Sequence, residues 1–333
     1  MNSRHTRTRG RGKRHLYLAA PLALLFLFQS GHAQDNNLNA MFLSGQRVSP
    51  AFEGWWMNDD GSFEMFFGYM NQNWQQEFNI PIGPNNYIAF TEPGVDEPAY
   101  DPSVADQGQP THFFPRRNPF LFTVQVPEGF GDSEVVWTLT ANGNTSRVYG
   151  TLVLDYNVDP QSMSLEVGGS YGSQNDSLRY NIPPELEVEG DEHRNVRVGE
   201  TLTLVAVAHD RDNLPPERPP RGVPETLEEL YRPLRMGSVA STPGLGLSWI
   251  VYRGPGRQVT FDPLQRKTWM DTRPYANSPW SPPLVLPEQP PGGRWVTQVI
   301  FGEPGEYTLR AVARDGSMFT YENVMVTVTA PAL

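Results

Sequence analysis

The sequence predicts an all-β protein. Thirty-two prolines and 30 glycines interrupt a chain of 333 residues, aromatic residues make up 11% of it, and apolar residues alternate with polar ones over short runs. Short alternating runs bounded by Pro, Gly, Asn and Asp are typical of strands joined by turns, and long runs with a 3.6-residue period are absent. A chain of this length is expected to form about two domains.

The N-terminal segment is predicted to direct export. Its first fourteen residues hold six basic residues and no acidic one, and residues 16–28 form an apolar run of 13 residues. Such a run is shorter than the roughly 20 residues that span a bilayer and is typical of a signal-peptide core. Gly31 and Ala33 fit the −3 and −1 positions of a cleavage site. We therefore expect residues 1–33 to be a cleaved signal peptide, with an uncleaved N-terminal anchor as the alternative.

The composition limits the cellular compartments and the classes of partner that are expected. The chain has no cysteine, which excludes disulfides, lipoprotein anchoring, thiolate catalysis and cysteine-bound metal. Removal of the leader leaves 20 basic residues (26 − 6) against 37 acidic ones, a net charge of −17. That charge argues against nucleic acid and anionic membranes as partners. No later apolar run approaches spanning length, so we expect a periplasmic or secreted protein without a transmembrane segment in its mature form.

Residues 41–160 predict a first β-sandwich domain. Residues 62–69 alternate apolar and polar positions, residues 120–126 form an apolar run that ends before Pro127, and Asn142-Gly143 separates two β-rich runs. An Asn-Gly pair in this setting favours a type I′ hairpin turn, in which both residues have positive φ. Residues 161–180 have weak periodicity and are predicted to be a linker.

Residues 181–330 predict a second domain with about seven strands, the number found in an immunoglobulin-like sandwich. Three motifs stand out: N-x-P-P at 181–184, V-G-E-T-L-T-L-x-A-x-A-x-D-x-D at 198–212, and P-G-E-Y-T-L-R-A-x-A-x-D-G at 304–316. Together they resemble PKD-type or cadherin-like immunoglobulin domains, over less than half of the chain. The segment departs from the PKD-type pattern at Trp249-Ile-Val-Tyr, where that family has Trp-x-Phe-Gly-Asp-Gly. The predicted fold is therefore two immunoglobulin-like β-sandwich domains after a cleaved signal peptide.

Two similar stretches place aspartates together. We expect TLVAVAHDRD (203–212) and TLRAVARDGS (308–317) to be two strands of one domain rather than one strand of two repeated domains, because 16 residues (333 − 317) follow the second stretch. As the second and sixth strands of one sandwich, they would end at the same pole. Alternation then places Asp210 and Asp315 where the core meets the loops. One interpretation is a calcium site formed by Asp210, Asp212, Asn213 and Asp315, as in cadherin-like relatives; the other is that the carboxylates cap turn amides.

Aromatic side chains are the other candidate binding residues. The second domain has a long loop at 214–246 and a second insertion at 264–293, which carries Trp269, Tyr275 and Trp280. Aromatic loops on a rigid sandwich bind glycans or peptides, and they also fold back to cover a sheet; the sequence leaves both open. In the first domain Trp55 and Trp56 are candidates for a sugar-binding platform or for the core.

The sequence favours a binding protein over an enzyme. Only three histidines follow the leader, far apart in sequence, and no nucleophile elbow, phosphate loop or zinc-protease motif occurs. We predict an exported, non-catalytic binding or structural protein of the cell envelope that presents a protein or glycan partner on its sandwich loops. The alternative is a carbohydrate-active enzyme or carbohydrate-binding accessory protein with its site in the first domain or between the domains, since 37 carboxylates leave an acid/base pair open.

Overall fold

The structure is a computed structural model that describes residues 42–166, 176–214, 226–227, 244–265 and 288–330. The predicted signal peptide lies outside the described residues. So do Trp269, Tyr275 and Trp280, and most of the loop at 214–246. The described part of the chain is built almost entirely of strands, which confirms the predicted all-β class.

The first sandwich consists of two three-stranded sheets, β1-β2-β6 and β4-β7-β8, with a short β3-β5 ladder. Its strands are β1 (Val48–Met57), β2 (Phe63–Asn71), β3 (Phe78–Asn79), β4 (Asn86–Thr91), β5 (His112–Phe113), β6 (Arg116–Val126), β7 (Glu134–Ala141) and β8 (Asn144–Gly150). Phe67 of one sheet and Trp137 of the other are both fully buried in the shared core. Asn142 and Gly143 have φ of 49° and 74°, which confirms the hairpin turn predicted between β7 and β8.

The segment between the sandwiches contains two short helices. The helix α1 (Pro160–Glu166) follows Asp159, and a 3₁₀ helix covers Asp176–Tyr180. Asp159 Oδ1 accepts a hydrogen bond from the Ser162 amide at 2.7 Å, while the Ser162 hydroxyl accepts one from the Asp159 amide at 2.8 Å. This reciprocal arrangement satisfies amides that the first turn of a helix leaves without partners. The predicted linker at 161–180 therefore carries local structure on both sides of residues 167–175, which lie outside the description.

The second sandwich has immunoglobulin-like topology. Its strands are β9 (Glu185–Val188), β10 (His193–Arg197), β11 (Thr201–His209), β12 (Gly246–Arg253), β13 (Val259–Asp262), β14 (Arg294–Phe301), β15 (Gly305–Arg314) and β16 (Phe319–Thr329). One sheet has the order β13-β14-β11-β9 and the other β10-β16-β15-β12, with β10 parallel to β16. These orders match sheets D-E-B-A and A′-G-F-C of the immunoglobulin fold, which confirms the predicted resemblance at the level of the fold.

The two aspartate-bearing strands lie in opposite sheets and face each other across the core. Alternate residues of β11, Leu204, Ala206 and Ala208, are fully buried, and so are the corresponding residues of β15. Small alanines on both strands allow the sheets to approach, while Trp249 of β12 fills the centre of the core. Alternation therefore places the aspartates that follow each strand at the rim of this core.

In the sheet β10-β16-β15-β12, β12 and the second half of β15 are buried on both faces. Trp249 and Val251 of β12 point into the second sandwich, whereas Ile250 and Tyr252 belong to the core of the first sandwich. Val312 of β15 also belongs to that first core. The two sandwiches thus share a seam, and the outer face of β12, β15 and β16 is covered by the first sandwich.

Candidate functional site

The longest loops of the second sandwich begin and end at one of its poles. The loop after β11 and the loop after β15 meet there, because the Gly244 amide donates to the Asp315 carbonyl at 2.9 Å. The insertion between β13 and β14 returns to the same pole, where Gln289 Nε2 donates to the Leu245 carbonyl at 3.2 Å. Asp210, Asn213, Leu245 and Gln289 line a depression of about 410 Å³ at this pole. The ends of both long loops are therefore adjacent.

The structure brings the predicted aspartates to this pole and gives each of them backbone partners. Asp210 Oδ1 accepts hydrogen bonds from the amides of Asp212 and Asn213 at 3.2 and 3.0 Å. Asp212 Oδ1 accepts one from Leu214 at 3.1 Å. Asp315 Oδ1 accepts from the amides of Ser317 and Met318 at 2.7 and 2.8 Å. These bonds are the turn-capping geometry of the second interpretation given above.

Asn181 and Ile182, which precede β9, join the two aspartate loops. Asn181 Nδ2 donates to Asp315 Oδ2 at 3.0 Å, and the Ile182 amide donates to Asp212 Oδ2 at 2.8 Å. Asn181 and Asp315 are both buried, at 5% and 0% exposure. The first residue of the N-x-P-P motif thus closes the pole by hydrogen bonding across it.

Several charged groups at this pole have local partners or shifted pKa values. Burial raises the pKa of Asp315 to about 6, while its hydrogen bonds and the Arg314 guanidinium act in the opposite direction. Burial also raises the pKa of Asp210. Arg211 pairs with Glu185 of β9. Within the described residues, no three His, Asp or Glu side chains are grouped so as to hold a metal ion.

The two tryptophans predicted in the first domain have different environments. Trp55 is 7% exposed and donates from Nε1 to the Val153 carbonyl at 2.9 Å, so it is a core residue. Trp56 is half-buried and packs edge-on against Phe66, with ring centroids 4.5 Å apart. Only Trp56 of the pair lines a cleft, and that cleft lies at the seam between the sandwiches.

Arg310 is the centre of the seam. Its guanidinium stacks on the Tyr252 ring at 3.4 Å from the ring centroid and lies 5.1 Å from that of Tyr321. Nη1 donates to the Leu121 carbonyl at 2.5 Å, and Nε donates to Asn323 Oδ1 at 2.8 Å. The side chain is 7% exposed. An arginine stays protonated at any physiological pH, so a permanent charge is buried between the two sandwiches.

Tyrosine hydroxyls and an ion pair complete the seam. Tyr321 donates to the Phe120 carbonyl at 2.5 Å and Tyr252 to the Gly108 carbonyl at 2.5 Å. Arg253 forms a bidentate pair with Asp106, with N–O distances of 2.9 and 2.6 Å. Every one of these bonds joins the second sandwich to the first. They fix the relative position of the two sandwiches in addition to the apolar contacts.

A cleft of about 440 Å³ opens at the seam. Its lining is mostly aromatic and apolar: Trp56, Phe66, Phe120, Phe122, Met163, Pro183, Met318, Phe319 and Tyr321. Arg310 is the one charged residue among the described residues that line it, and Thr123 and Thr320 supply side-chain hydroxyls. Clefts of this size and lining are typical of sites for small organic ligands.

The alternative prediction of a site between the domains named only Trp56 among the residues of this cleft, although one further signal points to it. Residues 247–252 read Leu-Ser-Trp-Ile-Val-Tyr, and all six are buried. A nearly continuous apolar run is typical of a strand covered on both faces rather than one. That pattern implies a second layer over β12, but it does not identify which part of the chain supplies the layer.

The topology defines an all-β protein of two packed β-sandwiches, of which the second is immunoglobulin-like. No family model matches the chain, and no curated protein matches it. Among solved structures it is similar to titin Ig tandem domains A164-A165, at 9% identity and a TM-score of 0.21, covering 86% of this chain and 100% of that one. It is also similar to domains 4 and 5 of the S-layer protein SbsC, at 11% identity and a TM-score of 0.20, covering 86% and 98%.

A third similar structure is that of the fibronectin(III)-like modules of Clostridium thermocellum CbhA, at 8% identity and a TM-score of 0.21, covering 85% of this chain and 95% of that one. Likenesses of this strength carry no argument about function, and the fold assignment above rests on strand order and direction. Within the described residues, no helix has both the length and the apolar character needed to cross a membrane.

Proposed function

We propose that this chain is an exported, non-catalytic binding or structural protein of the cell envelope, periplasmic or secreted, that holds a protein or glycan partner at the pole of its second sandwich. The observation that carries the proposal is the meeting of both long insertions at one pole, joined by the hydrogen bond from Gln289 to Leu245. Immunoglobulin-like domains place binding loops at one end of a rigid sandwich in the same way.

The seam supports the proposal because it packs the first sandwich against the sheet that carries the loop after β15. Ser317, in that loop, donates from its hydroxyl to the Pro160 carbonyl at 3.0 Å. The pole therefore belongs to a body of two sandwiches and not to one free module. A fixed body lowers the conformational entropy that is lost when loops bind a partner.

The proposal is tested by binding and by localisation. Glycan arrays and pull-downs from envelope extracts, made with the purified protein, should detect a partner whose binding falls at least tenfold in the Trp269→Ala/Trp280→Ala double variant. Trp74→Ala is the matched control, because Trp74 stacks on Arg116 in the first sandwich, 4.3 Å from ring centroid to guanidinium carbon. Equal binding by the double variant would reject the pole as the binding surface. N-terminal sequencing of the protein from a periplasmic or culture fraction should begin at Gln34.

A further inference from the structure

We infer that the seam cleft is a second binding site, specific for a small monocarboxylate with an apolar body, whose carboxylate pairs with Arg310. This site is separate from the pole, and the inference does not depend on the partner proposed there. Three features of the cleft support the inference. They are the Arg310 charge without a described counter-ion, the apolar side chains of the lining, and the small number of hydrogen-bonding groups.

Within the described part of the chain, the Arg310 charge has no carboxylate partner. Among the described residues, no Asp or Glu forms an ion pair with Arg310, and its contacts are two aromatic faces and two neutral oxygens. Glu53, a buried carboxylate of the first sandwich, forms a bidentate pair with Arg117 at 2.6 and 2.5 Å. A buried charge without a counter-ion is costly, and stacking on aromatic rings offsets part of that cost.

The guanidinium retains donors for a ligand. Of its five N–H groups, one on Nε and one on Nη1 donate to Asn323 and Leu121. Arg310 lines the cleft, and the planar fork of an arginine matches the two oxygens of a carboxylate. A carboxylate in the cleft would supply the missing counter-charge and accept the remaining N–H groups.

The side chains that line the seam cleft favour a ligand with an apolar body. Trp56, Phe66 and Phe120 approach from the first sandwich, and Met318 and Phe319 from the second. Phe66 lies edge-on to Trp56 and to Phe120, with centroids 4.5 and 5.9 Å apart. Aromatic rings and thioethers offer large apolar surfaces to a hydrocarbon.

The polar groups are too few for a sugar. Apart from Arg310, the hydrogen-bonding side-chain groups that line the cleft are the Trp56 indole N–H and the hydroxyls of Thr123, Thr320 and Tyr321. The Thr320 and Tyr321 hydroxyls already donate to the Pro184 and Phe120 carbonyls. A saccharide would bring many hydroxyls into contact with rings, and each one that loses water without gaining a partner costs free energy. One cation and an apolar wall fit an aliphatic or aromatic monocarboxylate.

The test is calorimetric titration of the purified protein with matched ligands. Decanoate and 4-phenylbutanoate are the carboxylate probes, kept below their aggregation concentrations; 1-decanol and 4-phenylbutan-1-ol replace the carboxylate with a hydroxyl. We expect binding of one carboxylate per chain and at least tenfold weaker binding of each alcohol, since charge-assisted hydrogen bonds are about twice as strong as neutral ones. Glucuronate and a tripeptide ending in leucine extend the series, and we expect weaker binding of both.

Three variants locate the site. Arg310→Gln should remove the preference for carboxylate over alcohol, and Thr123→Trp should block the cleft without changing Arg310, because Thr123 lies at its exposed edge. Arg257→Gln is the matched control: Arg257 also crosses the seam, donating to the Glu77 carbonyl at 3.0 Å, but it does not line the cleft. Should Arg310→Gln fail to fold, Thr123→Trp and the alcohol comparison still decide the question.

Several outcomes would overturn the inference. They are absence of carboxylate binding, equal affinity for carboxylate and alcohol, and decanoate binding that survives Thr123→Trp. Tighter binding of glucuronate than of decanoate would replace it with an acidic-sugar site, and binding of the tripeptide alone would replace it with a peptide terminus. None of these results bears on the pole, whose test uses Trp269 and Trp280.

Discussion

Asn181 Nδ2 donates a hydrogen bond to Asp315 Oδ2 across 3.0 Å, although 134 residues separate them in sequence. The bond joins the segment that precedes β9 to the loop that follows β15. Both residues are buried, so the interaction closes one pole of the second sandwich. Within the described residues, Asn181 Oδ1 is also buried and has no hydrogen-bond partner. After a 180° rotation of the amide, Oδ1 would accept a hydrogen bond from the protonated Asp315 carboxyl in place of the bond that Nδ2 donates to the carboxylate.

The first prediction concerns pH and Asp315. Its pKa is about 6 in the folded protein and 3.8 ordinarily. Between these values the unfolded chain releases the proton first, so this group makes folding stability fall as pH rises from about 4 to 6. Two pKa units correspond to about 3 kcal/mol. In Asp315→Asn this contribution to the pH dependence should vanish. From pH 4 to pH 7, the free energy of unfolding of the variant should therefore rise by about 3 kcal/mol relative to that of the wild type.

Urea unfolding at a series of pH values measures the effect. Asp101→Asn is the control, because Asp101 is exposed and its pKa is lowered by hydrogen bonds from Ser103; it should retain the decline between pH 4 and 6. A parallel pH dependence for Asp315→Asn and the wild type would contradict the assignment.

The second prediction decides the calcium hypothesis. Asp210, Asp212 and Asp315 already accept backbone hydrogen bonds, and a cation would have to compete with those donors. We therefore expect the melting temperature to be the same in EDTA and in millimolar Ca²⁺. A metal bound at one hundred times its dissociation constant would stabilise the fold by about 2.7 kcal/mol. A saturable increase in melting temperature that is lost in Asp210→Asn would establish the metal site instead.

Local patterns predicted the strands well, and their physical basis explains why. Alternation in β11 and β15 places Leu204 and Leu309 in the core and the following aspartates at its rim. The turn at Asn142-Gly143 depends on the positive φ of these two adjacent residues. It can therefore be predicted without knowledge of any distant contact. The placement of β11 and β15 as the second and sixth strands of one sandwich, which end at the same pole, follows from strand count and direction.

The seam could not be predicted in the same way. Arg310 lies in an apolar strand, and its partners Leu121 and Tyr252 are 189 and 58 residues away in sequence (310 − 121; 310 − 252). No periodicity links such positions, because the contact arises only when one sandwich packs on another. Trp55 and Trp56 show the same limit. Alternation places them on opposite faces of β1, but it does not indicate that one face is covered by the first core and the other lines the seam cleft.

The third prediction tests the seam through the Tyr321 hydroxyl. Burial raises the pKa of Tyr321 well above its usual value, so the hydroxyl remains a donor to Phe120 throughout the neutral range. Tyr321→Phe leaves the Phe120 carbonyl without this donor and should lower the free energy of unfolding by about 1–2 kcal/mol. Tyr149→Phe is the control, because the exposed Tyr149 hydroxyl donates to Asp96 at 2.7 Å and water can replace it. Equal effects of the two substitutions in urea unfolding would show that the seam bond is not buried.

The last prediction concerns Gly68 in β2. A Cβ atom at this position would lie 2.3 Å from Glu53 Oε1 and 2.4 Å from the Asn118 carbonyl. Room for a methyl group would require movement of Glu53, which is paired with Arg117, and also of the backbone of β6. Overpacking of this kind costs about 1–3 kcal/mol, and disturbance of a buried ion pair adds to it. We therefore expect Gly68→Ala to lower the free energy of unfolding by more than about 2 kcal/mol.

Gly129→Ala is the matched control for Gly68→Ala. Gly129 has φ of −82°, and a Cβ there would meet no atom within 4 Å. A substitution that the backbone already allows reduces the freedom of the unfolded chain and should leave stability unchanged or raise it by up to about 1 kcal/mol. If Gly68→Ala were as stable as Gly129→Ala, then Glu53 would not be held against β2 as the structure places it. The buried Glu53–Arg117 pair would in that case be free to rearrange without loss of stability.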